Sequence, residues 1–237
     1  MNTLAIAGEP QAVKVALPEL VIKAIKRGIL HGRYVPGQRL IEADLQRDLK
    51  VSRGSVREGL MRLAAEGVVE QSRHRGTYVR ALSRNDALEL LRVLESIFTL
   101  ATRLAAAKIR RDRREGKHGY AQSLTKAYEQ LMAQGPTGDR VLQSIQRTHF
   151  YDVIFEIAGN SELIRINPVV PTQLLRMQIH SFLSPDYQKQ QFADYERIYE
   201  ALMAGDPKRA QWLIKSHIRN SRIQILHLPS EAFVPDG

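Results

Sequence analysis

The sequence predicts a mainly α protein in two unlike parts: three short helices closed by a β-hairpin, then an all-α antiparallel helical bundle. Three observations predict it. Apolar residues recur at helical spacing from Leu17 onward; two alternating β-branched runs, "VVEQS" and "GTYVRAL", occupy residues 68–82; and no strand pattern follows Val79. A chain of 237 residues is long enough for two separate cores.

Each element has its local reason. Leu17, Leu20, Val21, Ala24, Ile25, Gly28 and Ile29 give a first amphipathic helix over 17–30, stopped where Gly32, Pro36 and Gly37 make a turn. Residues 41–49 form a second short helix with Leu45 and Leu49 inward. Ser52 caps a third, whose stripe is Val56, Leu60 and Leu63 and whose end is Gly67. The two strands join through a turn at Arg73–Gly76. Three helices and a hairpin make a winged helix-turn-helix.

From Asn85, a plausible cap, a long helix runs to the charged stretch "RRDRREGKHG", read as a solvated loop or helix end. Further helices are expected over 120–134, 138–158, 161–182, 187–204 and 206–227, separated by Gly, Pro, Asn and Ser stops. Trp212, the only tryptophan, reads as a packing residue, and Arg62 as a structural partner of Glu58 or Glu66. The domain plan is an N-terminal arm over 1–16, expected to be flexible; a winged helix-turn-helix over 17–83; a helical effector-binding and dimerisation domain over 84–230; and a tail over 231–237.

Charge points to a polyanionic partner. Residues 1–83 carry 14 Lys/Arg against 8 Asp/Glu, over half of the chain's net charge of +10. The leading turn of the third helix offers Ser52, Arg53, Gly54, Ser55 and Arg57. Arginine bonds guanine bidentately, and small residues at a helix N-terminus let backbone N–H groups approach phosphate. The wing tip Arg73, His74, Arg75 and Gly76 suits phosphate or minor-groove contact, with Gly76 permitting the tight turn.

The stretch "GILHGRYVPGQRLIEADLQRDLKVSRGSVREGLMRLAAEGVVEQSRHRGTYV" resembles the N-terminal domain of GntR-family bacterial transcription regulators, matching "PG-x-x-L-x-E", "V-S-R-x-x-V-R-E-x-L-x-x-L" and "R-G-x-x-V". The resemblance implies that Ser52, Arg53, Ser55, Arg57 and Gly76 contact DNA; Gly54 stands where the family often has threonine. "HFYDVIFEIAGNSELI" and "YERIYEALMAGDPKRAQWLIKSHI" resemble the FCD ligand domain of the FadR-like subfamily. Many members hold a divalent metal with one aspartate and three histidines. Here Arg147, Tyr151 and Tyr195 occupy three of those positions and only His217 remains, with His149 and His180 as weak substitutes. No metal cofactor is expected.

Arginine can instead bond a carboxylate directly. Arg147 and Tyr151 lie at i and i+4 and share a helix face, so a small organic acid is expected between Arg147, Tyr151, Tyr195 and His217, with Asn160 and Arg176 as outer contacts. No nucleophile elbow, P-loop, "G-x-G-x-x-G" or "H-E-x-x-H" occurs, and His149 with Asp152 reads as surface charge rather than an acid–base pair.

The expectation is therefore not an enzyme but a ligand-responsive regulator, a repressor in its commoner form. It would be a homodimer on a double-stranded DNA operator. No run approaches the roughly 18 apolar residues of a membrane span, no secretory signal is apparent, and zero cysteines fit the cytoplasm. A metal-free acyl-CoA-type sensor and a constitutive dimeric DNA-binding protein without effector stay open.

Overall fold

The computed structural model describes residues 16–72 and 76–235. The expected N-terminal arm, save its last residue, and the wing-tip residues Arg73, His74 and Arg75 lie outside the described residues.

The first part contains α1 (Leu17–Leu30), β1 (Arg39–Leu40), α2 (Glu42–Leu49), α3 (Arg53–Ala65), β2 (Val69–Ser72) and β3 (Gly76–Val79). The hairpin β2–β3 is antiparallel, Val69 opposite Val79. A third strand, β1, pairs antiparallel on the other side of β3, giving the order β1-β3-β2. The sequence reading missed β1 because two residues, Arg39 and Leu40, are too few for an alternation to register. Val21, Ile25, Ile29, Leu45, Val56, Leu60, Leu63, Val69 and Val79 close a core that excludes water.

The second part contains α4 (Arg84–Arg114), α5 (Gly119–Met132), α6 (Arg140–Ala158), α7 (Ser161–Ile166), α8 (Val169–Ile179), α9 (Pro185–Met203) and α10 (Pro207–His227). The long α4 is the spine, packed chiefly against α10 and α6. Its cap is Ser83, not Asn85. The Ser83 hydroxyl accepts from Asp86 N at 3.1 Å while Asp86 Oδ2 accepts from Ser83 N at 3.2 Å, a capping box. The charged run continues α4 to Arg114 before Gly116 turns the chain.

Four further expectations are corrected. The span 161–182 is two helices, because Pro168 lacks an N–H and holds Asn167 extended at φ −60°, ψ 113°. Trp212 is 66% exposed and packs nothing into the core. Arg62 pairs with Glu19 of α1 at 3.6 Å, while Glu66 is taken by Lys26. The segment read as a tail folds back: Ala232 is buried, and Val234 forms a parallel bridge with Ser83.

The two parts touch through α1 and α8. The linker is held as well, since Gln178 of α8 accepts from Leu82 N at 2.8 Å and donates to Leu82 O at 2.7 Å and Ala232 O at 2.9 Å. Arg84 donates to the carbonyls of Ile225 and Leu228 at 2.6 and 2.7 Å, tying the start of α4 to the end of α10.

The α1–α3 crossing depends on Gly59, where a Cβ would stand 2.9 Å from Val21 Cβ and 3.1 Å from Pro18 O. Gly59→Val should therefore push α1 off α3 and destabilise the protein by about 1–3 kcal/mol through overpacking. Urea unfolding should show a lowered midpoint at unchanged slope; an unmoved midpoint would mean the crossing can open freely.

Candidate nucleic-acid interface and ligand cavity

At the α3 N-terminus the sequence-predicted residues come together on one exposed face. Ser52 caps the helix: its Oγ accepts from Ser55 N at 3.2 Å and lies 2.9 Å from Ser55 Oγ. Arg53 and Arg57, one turn apart and both exposed, reach the same carboxylate. Their Nε atoms stand 3.6 and 3.1 Å from Glu42 Oε2. One negative charge thus orients two guanidinium groups, and the surplus positive charge faces solvent. Glu42 was not among the predicted site residues, although it is the last residue of the "PG-x-x-L-x-E" pattern. Gly76 has φ +92°, and a Cβ there would be 3.4 Å from Arg39 Nε, which brings a further arginine to the base of the wing. Arg73, His74 and Arg75 lie outside the described residues.

In the helical part, five helices face one cavity of about 70 Å³. Arg147 and Tyr151 enter from α6, Arg176 from α8, Tyr195 from α9 and His217 from α10, with Leu91, Leu94 and Phe98 of α4 as an apolar floor. Asn160 does not enter. It is exposed and caps α7, its Oδ1 accepting from Leu163 N at 3.1 Å. His149 is exposed on another face, whereas His180 lines the cavity.

The electrostatics of this cavity are lopsided. Arg147 is only 8% exposed, and its Nε has no hydrogen-bond partner. Arg176 has a single long bond, to Thr148 Oγ1 at 3.5 Å. Among the described residues neither guanidinium forms an ion pair with an acidic side chain. Each instead lies over an aromatic ring: Arg147 at 5.6 Å from the Tyr195 centroid, Arg176 at 5.7 Å from that of Tyr151. Burial, reinforced by the neighbouring Arg147 charge, pushes the Arg176 pKa down to about 10, so it stays charged at neutral pH. Burial drives the Tyr151 phenol well above its ordinary value. Neither the Tyr151 nor the Tyr195 hydroxyl bonds another described side chain, so both are available to a guest.

His217 is already engaged, its Nδ1 3.0 Å from Asp194 Oδ2. Asp194 also accepts from Gln190 and Arg197 at 2.9 and 2.8 Å. Desolvation lowers the His217 pKa in spite of that carboxylate, and the Arg147 and Arg176 charges add to the lowering. The neutral ring with its proton on Nδ1 therefore presents Nε2 as an acceptor rather than a donor. The donor set does not suit a divalent cation: the lining offers two imidazoles and three phenols but no carboxylate, and the two guanidinium charges repel what a metal site must attract.

The sequence reading missed Thr172, Tyr187, Gln191 and Ser221 as cavity residues and named His180 only as a weak substitute for a metal ligand. A signal existed. Thr172 and Arg176 on α8 with His180 just past its end, Tyr187, Gln191 and Tyr195 on α9, and His217 with Ser221 on α10 each repeat every four residues, placing polar groups on one inward face.

Comparison with known proteins identifies both parts of the chain. The profile of bacterial regulatory proteins of the gntR family matches residues 17–79, and that of the FCD domain matches residues 86–220. A probable D-xylose utilization operon transcriptional repressor of Paenarthrobacter nicotinovorans is 29% identical over 191 residues, 80% of each chain. The HTH-type transcriptional regulator LutR of Bacillus subtilis is 26% identical over 214 residues, 81% of this chain and 93% of that one. Among solved structures, Escherichia coli McbR/YncC superposes with a TM-score of 0.74 at 19% identity, covering 90% of this chain and 98% of that one. A putative GntR regulator from Rhodococcus sp. RHA1 gives 0.67 at 21% identity, covering 88% and 97%. These likenesses show the fold.

A lowered native pKa at His217 means that the folded state binds fewer protons than the unfolded chain. The resulting stability is complete above the ordinary value of 6.5 and lost as pH falls below it. Asp194, also lowered, adds a loss of the same sign further toward acid, below its ordinary 3.8. The melting temperature of the ligand-free protein should therefore fall between about pH 7 and about pH 5, and His217→Gln should flatten that fall. An identical slope in the variant would acquit His217.

Proposed function

Because the chain belongs to the gntR family of bacterial regulatory proteins and carries an FCD domain, we propose that this DNA-binding transcription regulator is controlled by a small organic acid bound directly by arginine, without metal. Arg147 is the primary anchor. Tyr151, Tyr195 and Arg176 supply further donors, and His217 supplies an acceptor for a hydroxyl on the guest.

The observation that carries the reading is the buried guanidinium of Arg147, whose Nε has no hydrogen-bond partner and which forms no ion pair among the described residues. A buried charge without a partner is costly, and a carboxylate accepting two parallel N–H bonds removes that cost. The cavity's modest volume of about 70 Å³ favours a compact acid over an acyl-CoA, which needs a long apolar channel. The same unpaired charges weigh against a helical domain that only dimerises, since an apolar filling would stabilise it better.

On the DNA side, Arg53 and Arg57 read base edges from the leading turn of α3, Ser52, Gly54 and Ser55 let the backbone meet phosphate, and the wing from Arg73 to Gly76 grips the flank. A two-fold homodimer would place two such helices on a near-palindromic operator. The effector works by binding one arrangement of the domains better than the other. Relief of repression is the sense we favour, in keeping with the repressor named among the relatives. We place the protein in the cytoplasm and read it as a regulator rather than an enzyme, a reading supported by relatives named as transcriptional regulators. Among the described residues no helix is long and apolar enough to cross a membrane.

Calorimetric titration with organic acids tests the anchor. Arg147→Ala should weaken the best binder by roughly tenfold to a hundredfold, the worth of a charged hydrogen bond; equal affinities would remove Arg147 from the site. On DNA from upstream of its own gene, Arg57→Ala should cost about 1–3 kcal/mol and reduce sequence preference. Undiminished preference would exclude base reading by Arg57.

A further inference from the structure

A second cavity of about 210 Å³ adjoins the first and shares Arg147, Arg176 and His180 with it. Its far wall belongs to the other domain. Gly32 and Val35, from the turn after α1, close it against Arg140 and Val141 at the start of α6. The domains are nearly in contact there: Gly32 has φ +71°, and a Cβ on it would stand 3.1 Å from Val141 Cγ2. Val35 itself remains 45% exposed.

We infer that the effector is a dianion long enough to span both cavities, its second acidic group seated between Arg176, Arg140 and His180 beneath Val35 of the DNA-binding domain. This rests on Arg147 as the anchor of the first carboxylate.

Three observations support it. Buried Arg147 and half-buried Arg176 are two positive charges with no acidic partner among the described residues, and one carboxylate neutralises only one of them. Arg140 adds a third cation at the mouth of the outer cavity, also without an ion pair among the described residues. Partial burial chiefly disfavours protonation of His180, and the Arg140 and Arg147 charges add to it, which places all three groups within one electrostatic neighbourhood. The inner cavity is too small for a second acidic group with its linker, while the outer one is three times larger and polar on the α6–α8 side, where Ser144 bonds Gln173.

The regulatory consequence follows from what else α8 holds. Arg176 and His180 meet the ligand, Gln178 between them pins Leu82 of the linker, and α1 packs on the same helix. A ligand gripped at Arg176 and capped by Val35 touches both domains at once. It favours whichever domain arrangement closes the outer cavity, with a differential affinity that a monoanion in the inner cavity lacks.

The full-length protein can be titrated at constant ionic strength with acetate and butyrate, with succinate, glutarate and adipate, and with 3-phosphoglycerate. The last two sets separate a dicarboxylate from a phosphorylated acid. At least one dianion should bind about tenfold or more tighter than any monoanion. Val35→Asp and Arg140→Gln should each weaken that dianion by about tenfold while leaving monoanion affinity within about twofold. Val35→Asn, which adds no charge, should cost less than Val35→Asp and guards against a mere folding effect. If dianion affinity is lost in Arg147→Ala but unchanged in Val35→Asp and Arg140→Gln, the spanning pose is wrong and the anchor stands. If a monoanion binds tightest, or nothing in the set binds, the dianion is wrong.

Discussion

Two guanidinium groups enclosed by a helical bundle, with no carboxylate of the protein among the described residues to answer them, set the terms for the rest of this structure. Moving a cation out of water costs several kcal/mol unless it is paired. The bundle lowers that cost with aromatic faces, Tyr195 under Arg147 and Tyr151 under Arg176. It holds those rings by edge contacts, Phe98 to Tyr151 at 4.8 Å and Phe150 to Tyr195 at 6.2 Å. Such packing fixes where the charges sit without neutralising them. On the proposed reading, the bundle keeps these charges for an anion at the expense of its own stability.

The same economy of charge appears at the DNA-reading end, with the opposite solution. Arg53 and Arg57 are exposed, so solvent screens them, and Glu42 serves as an orienting partner rather than a neutraliser. Between the two ends lies α8. It carries cavity residues on one face and, through Gln178, the main-chain groups of Leu82 on another. The domains are joined by bonded helices rather than a loose tether, which is the physical requirement for a ligand at one end to bias the other.

How much of this was legible beforehand depended on the range of the interaction. Elements set by local chemistry were readable: α1 from its apolar stripe, α3 from the Ser52 cap and the Gly67 stop, the hairpin from its alternation. Features set by distant partners were not. Two-residue β1 exists only because β3 offers an edge. Ser83 outcompetes Asn85 as a cap because Asp86 can reciprocate, a capping box that did stand in the sequence. Arg62 finds Glu19 on another helix rather than Glu58 or Glu66 on its own. The predicted cavity residues Arg147, Tyr151, Arg176, Tyr195 and His217 do converge, whereas Asn160 is spent on a helix end. Asp194 had no visible signal, since its role arises only when α9 meets α10 and His217.

The claim on which everything else turns is that the Arg147 charge is held for a ligand and burdens the empty protein. Urea unfolding of ligand-free wild type and Arg147→Met measures it directly, because methionine keeps the length and removes the charge. A higher unfolding midpoint in the variant, at unchanged slope, is the predicted result. A clearly lower midpoint would show that the guanidinium is a structural group with partners of its own, and the ligand account would fail.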